Sequence, residues 1–139
     1  MREASWKDCI EENTAIKVSP DKERVKSLIE TAEERIKQTH KLNEKNFNFV
    51  FEDYYTSLLV LIQAFVILRG YKVTNHVCLG YYLRDCLKRD KLYLVFDDLR
   101  YKSNSLTYYG NRMDFETAKA SIEQCKGLII EIKKELGEI

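Results

Sequence analysis

Seven apolar residues, Phe115, Ala118, Ile122, Cys125, Ile129, Ile132 and Leu136, recur at alternating spacings of three and four near the C-terminal end of the chain. Residues three and four apart share one face of a helix, so this stripe marks a long helix with one side buried. Asp114 stands where an N-cap is needed, its carboxylate placed to accept from the first free N–H groups. The rhythm is heptad-like, the kind that packs helices into bundles.

The rest of the chain reads as helices that such a stripe could pack against. Ser19-Pro20-Asp21 is a helix start, with Ser19 as cap and Pro20 in the first turn. From there Val25, Leu28, Ile29, Ala32 and Ile36 form a stripe running to about Lys41. From Phe47 to Leu68 apolar residues occur on every side, as in a central helix touched by several neighbours. Thr74 or Asn75 caps a third helix from about His76 to Lys88 through Val77, Leu79, Leu83 and Leu87. A fourth carries Leu92, Val95, Leu99 and Leu106 and ends at Gly110. Residues 1–18 read as an N-terminal arm or short helix. One proline and five glycines in 139 residues leave little punctuation for strands. The expectation is one all-α domain over 1–139, an antiparallel bundle of about five helices.

Charge and cysteine usage narrow the chemistry. With 23 Lys plus Arg against 22 Asp plus Glu, the chain does not bind nucleic acid through bulk positive charge. The N-terminus lacks the apolar core of a signal peptide, and the apolar run Leu58–Leu68 is shorter than the roughly 20 residues of a membrane span. A cytoplasmic protein without a membrane association is therefore expected. Cys9, Cys78, Cys86 and Cys125 show no Cys-x-x-Cys pair and lie far from His40 and His76 in sequence, which predicts four reduced thiols and neither metal nor cofactor. Both histidines read as solvated or helix-terminal side chains.

The fourth helix carries the one unusual constellation. Arg100, Asn104 and Tyr108 stack four residues apart into a polar row. Asn and Tyr need partners when turned inward, so the row is hydrogen-bonded internally, faces a cleft or a second subunit, or lies on a solvated face with Arg100 paired to Asp97. Around it Arg84, Lys88, Arg89, Lys91, Arg100, Lys102 and Arg112 alternate with tyrosines, the mixture that grips phosphates and stacks on unpaired bases. Asp85, Asp90, Asp97 and Asp98 dilute that field toward an ordinary mixed-charge surface.

At this row the chain resembles a known family. Leu99–Leu136, with Arg100, Asn104 and Tyr108-Tyr109-Gly110 ahead of the Asp114-capped helix, resembles the C-terminal half of HEPN domains, small helical proteins of bacteria and archaea. The segment Phe51–Asp85, with its Gly70-Tyr71-Lys72 turn and a helix opening at His76, is similar to the family's central part. Together the likeness spans most of the chain from Asp21 onward. It implies a homodimer whose motif helices face each other across a cleft. Many members are metal-independent ribonucleases that act through an Arg, a polar neighbour and a His four to six residues later. Many are encoded beside a minimal nucleotidyltransferase as a toxin and antitoxin pair, and others serve only as binding or assembly modules. By the same likeness Tyr108 and Tyr109 would be modification sites for such a partner.

Two positions depart from the active pattern. Ser103 stands before Asn104 where the motif Arg is expected, and no His lies four to six residues after Arg100 or Ser103. A tyrosine, with an ordinary pKa of roughly 10, is a poor base at neutral pH. The expectation is therefore a non-catalytic, RNA-associated or nucleotidyltransferase-partner module with Arg100, Ser103, Asn104, Tyr108 and Tyr109 lining its binding cleft. The alternative is a metal-independent endoribonuclease toxin using Arg100 with Asn104 and a tyrosine such as Tyr108.

Overall fold

The computed structural model describes residues 2–137; Met1, Glu138 and Ile139, the ends of the expected 1–139 domain, lie outside the described residues. It is a helical bundle. In chain order the elements are α1 (Trp6–Glu11), β1 (Ala15–Lys17), α2 (Lys22–Gln38), α3 (Phe47–Leu68), β2 (Tyr71–Val73), α4 (His76–Tyr81), a π-helical turn (Tyr82–Cys86), α5 (Asp90–Tyr109) and α6 (Phe115–Leu136).

The central element is α3, which packs chiefly against α2 and α6. Phe51, Leu58, Leu61, Ile62 and Phe65 are fully buried along it, which is why its sequence is apolar on every side. By length and composition α3 could cross a membrane, but most of its apolar surface is enclosed by the bundle. The α6 stripe faces this core as its spacing predicts: Ala118, Ile122, Cys125, Ile129, Ile132 and Leu136 are all buried. Asp114 caps the helix, its Oδ1 accepting from Thr117 N–H at 2.8 Å. Gly110 closes α5 at φ 66°, a left-handed conformation that costs a side chain without glycine's freedom.

Several boundaries differ from expectation. The cap of α2 is Asp21, which accepts from Arg24 N–H, so Ser19 and Pro20 lie ahead of the helix, and α2 stops at Gln38 rather than Lys41. A short carboxylate one residue after proline satisfies the free N–H better placed than Ser19 could. The third helix does not run unbroken to Lys88. After Tyr81 it widens into a π turn, with Leu87 N–H bonding Tyr82 O, and ends where Lys88 takes φ 60°.

The N-terminal arm is more structured than a short helix alone. β1 pairs antiparallel with β2, Ala15 opposite Val73 and Lys17 opposite Tyr71, forming a two-stranded ribbon on the bundle. Trp6 is buried edge-on against Tyr71 and Tyr82. The Trp6 backbone N–H donates to Asp85 Oδ2 at 2.8 Å, and Arg84 reaches Glu3 and the Ala4 carbonyl. The π turn aims Arg84 and Asp85 together at this arm. The expectation of four reduced thiols is overturned for two of them. Cys9 and Cys78 form a disulfide across 69 residues of sequence, brought together because α1 lies against α4. Cys86 and Cys125 are free.

Candidate functional site

A cleft of about 430 Å³ opens where α3, the start of α4 and the C-terminal half of α5 meet. The predicted polar row faces it: Arg100, Asn104 and Tyr108 line one wall, with Ser103 beneath them. Tyr109 does not line this cleft; it is exposed one position further round α5. Ser103 is buried because its position continues the inward stripe of Leu92, Phe96 and Leu99.

Arg100 makes the pair its spacing suggested, with Nε donating to Asp97 Oδ1 at 2.9 Å. That bond uses the side edge of the guanidinium. Its two terminal nitrogens have no protein partner among the described residues, leaving the fork that matches a phosphate or carboxylate available.

The opposite wall holds residues that pattern reading did not place here. Glu52 of α3 accepts from Ser103 Oγ at 3.3 Å through Oε2, while its Oε1 is buried without a hydrogen-bond partner among the described residues. Burial raises the Glu52 pKa above the usual carboxylate range; the Ser103 bond opposes that shift, and Asp53 adds to it. Tyr55, also on α3, is buried and its phenol is pushed well above its ordinary value, first by desolvation, so it stays protonated. Its Oη lies 3.4 Å from Nδ1 of His76, the first residue of α4. His76 is helix-terminal, as read from sequence, yet that terminus stands in the cleft opposite Arg100. Desolvation, followed by the nearby Arg100 charge, lowers its pKa, which favours neutral imidazole. Asn75 fixes this end of α4 by accepting from Cys78 N–H at 2.8 Å, and the disulfide holds Cys78 itself.

The wider basic and aromatic cluster is mostly committed to structure. Arg84 lies over the rings of Tyr81 and Tyr93 and pairs with Asp85 and Glu3. Arg89 bridges to Glu131 and Glu135, and Lys102 pairs with Asp98. Among the described residues no group of three or more His, Cys, Asp or Glu side chains is arranged to hold a metal ion.

Fold and site together define an all-α bundle with a mixed-charge cleft beside its fifth helix. No protein-family model matches the chain, and neither the curated proteins nor the solved structures contain a match.

Proposed function

We propose that the protein is a HEPN-like, homodimeric module of the cytoplasm that holds RNA through the α5 cleft and works beside a minimal nucleotidyltransferase of the toxin and antitoxin type. The observation that carries this reading is the Arg100 guanidinium, whose two terminal nitrogens have no partner among the described residues, set in a polar cleft with Asn104 and the exposed ring of Tyr108. A fork of that kind binds a phosphate, and an exposed ring can stack on an unpaired base. Binding of this kind needs no bond to be broken.

Retention of a mixed, end-labelled RNA pool in chelator tests it. Arg100→Ala is expected to weaken retention about tenfold or more and to flatten the dependence on salt by about one phosphate's worth. Equal retention and an unchanged salt slope would remove Arg100 from any RNA site. The cytoplasmic placement carries a condition of its own, because a reducing compartment would keep Cys9 and Cys78 as thiols. Trapping free thiols in freshly lysed cells distinguishes the two states.

A second reading, a metal-independent endoribonuclease with Arg100 as its cation, is favoured by one observation. The cleft contains an imidazole that the α5 motif lacks.

A further inference from the structure

We propose that the Cys9–Cys78 bond is a thiol–disulfide exchange site, opened by a dithiol reductant, whose state fixes or frees the α4 wall of the Arg100 cleft. The inference goes beyond binding and holds whatever the cleft takes up.

What the bond ties is not the centre of the bundle. There α3 packs on α2 and α6 without its help, and the α6 cysteine, Cys125, is a buried free thiol. The bond joins the arm to α4 instead, two helices of 6 residues each. Helices this short do not stand alone in water, and neither does a two-stranded ribbon. The arm's other holds are the Trp6 ring on Tyr71 and Tyr82, the Trp6 backbone N–H on Asp85, and an exposed Glu3 paired with Arg84. Opening the bond leaves the arm on these alone.

The arm reaches the cleft through one turn of helix. Asn75 and Val77 line the Arg100 cleft, and they also line a surface groove with Asp8, Cys9, Glu12 and Cys78. Thr74, another cleft residue, donates its backbone N–H to the Thr14 carbonyl at 2.9 Å. Thr14 Oγ1 in turn donates to the Cys9 carbonyl at 3.1 Å and lies 3.4 Å from Cys78 Sγ. The bond therefore sits where arm, ribbon and cleft wall meet. His76, between Asn75 and Val77, holds its ring 3.4 Å from the buried Tyr55 hydroxyl, so a shift of this turn moves the imidazole in the cleft. The groove gives a reductant its way in, since both cysteines line it. In a reducing compartment, disulfides that do form are usually transient and redox-sensing rather than permanent.

The exchange needs only a dithiol. One thiolate of the reductant attacks a sulfur of the Cys9–Cys78 bond, forming a mixed disulfide while the other cysteine leaves as a thiolate. The reductant's second thiolate then attacks the mixed disulfide, releasing the remaining cysteine and closing the reductant's own disulfide. Two electrons pass to the protein, and the two protons of the reductant's thiols end on Cys9 and Cys78.

The sequence supplies a probe for each end of this connection. Trp6, in the arm, is the chain's single tryptophan, and of its 2 histidines His76 lies in the cleft while His40 does not. Purified full-length protein is oxidised in air and then treated with dithiothreitol, with free thiols counted by alkylation and mass. Reduction is expected to raise the acrylamide quenching of Trp6 about threefold or more. It should also shift the ring resonances of His76 but not of His40, leave the helical circular dichroism unchanged, and be reversed by reoxidation. The double variant Cys9→Ser, Cys78→Ser should match the reduced form under both conditions. Four free thiols in the oxidised protein, or a bond that resists dithiothreitol, overturns the exchange site. A reduced protein with Trp6 and His76 unmoved overturns the link to the cleft. Loss of helical signal on reduction overturns it too, because the bond would then be holding the whole bundle. None of these readings involves RNA, so the binding proposal stands or falls separately.

Discussion

At the scale of single residues, Glu52 is the group least at ease in its surroundings. Among the described residues one oxygen has only the Ser103 hydroxyl at 3.3 Å, and the other is buried with none. Because the folded-state pKa is raised, the folded form binds this proton more readily than the unfolded chain does. The associated stability is fully present below the unfolded value of about 4.3 and is lost as pH rises through the folded value. Glu52→Gln removes the charge while keeping the shape, so at pH 7 it should stabilise the protein by about 1 kcal/mol in a denaturant melt. The gain should shrink toward zero below about pH 4. A Gln variant that is less stable at pH 7 would mean that the carboxylate has a partner in solution. Glu52 and Tyr55 were not legible as site residues, because they are polar atoms on a helix whose sequence reads as core on all sides. The α5 row was legible, because Arg100, Asn104 and Tyr108 recur at a spacing of four, which stacks them on one face of a helix.

At the scale of elements, α6 offers the sharpest test of register. Ile129 is 6% exposed and Ile130 is 56% exposed, adjacent residues about 100° apart on one helix. Ile129→Ala should cost about 2 to 5 kcal/mol, and Ile130→Ala less than about 0.5 kcal/mol. Similar losses in the two variants would show that the buried face has been misplaced. The helices with strong periodicity and side-chain caps, α2 and α6, were readable because both signals are local. The ribbon was not. Ala15–Lys17 and Tyr71–Val73 are three residues each, and only long-range pairing makes strands of them. The π turn was equally hidden, since Leu83 and Leu87 continue a helical spacing that the arm's grip on Arg84 and Asp85 interrupts.

At the scale of the whole molecule, the cysteines were misread because spacing says nothing about which distant elements meet. Cys9 and Cys78 are brought together by the packing of α1 on α4. Replacing both by alanine should cost about 4 kcal/mol, as expected for closing a loop of this length in the unfolded chain. Equilibrium unfolding of the variant against wild type measures it, and equal stabilities would mean that the bond is absent from the protein in solution.

The ribbon also sets an order in time. Ala15–Lys17 leaves the ribosome well before Tyr71–Val73, yet it has no strand to join until that segment has been made. Cys9 likewise waits for Cys78. The arm is thus seated only after α2 and α3, which follow it in the chain, have already been made.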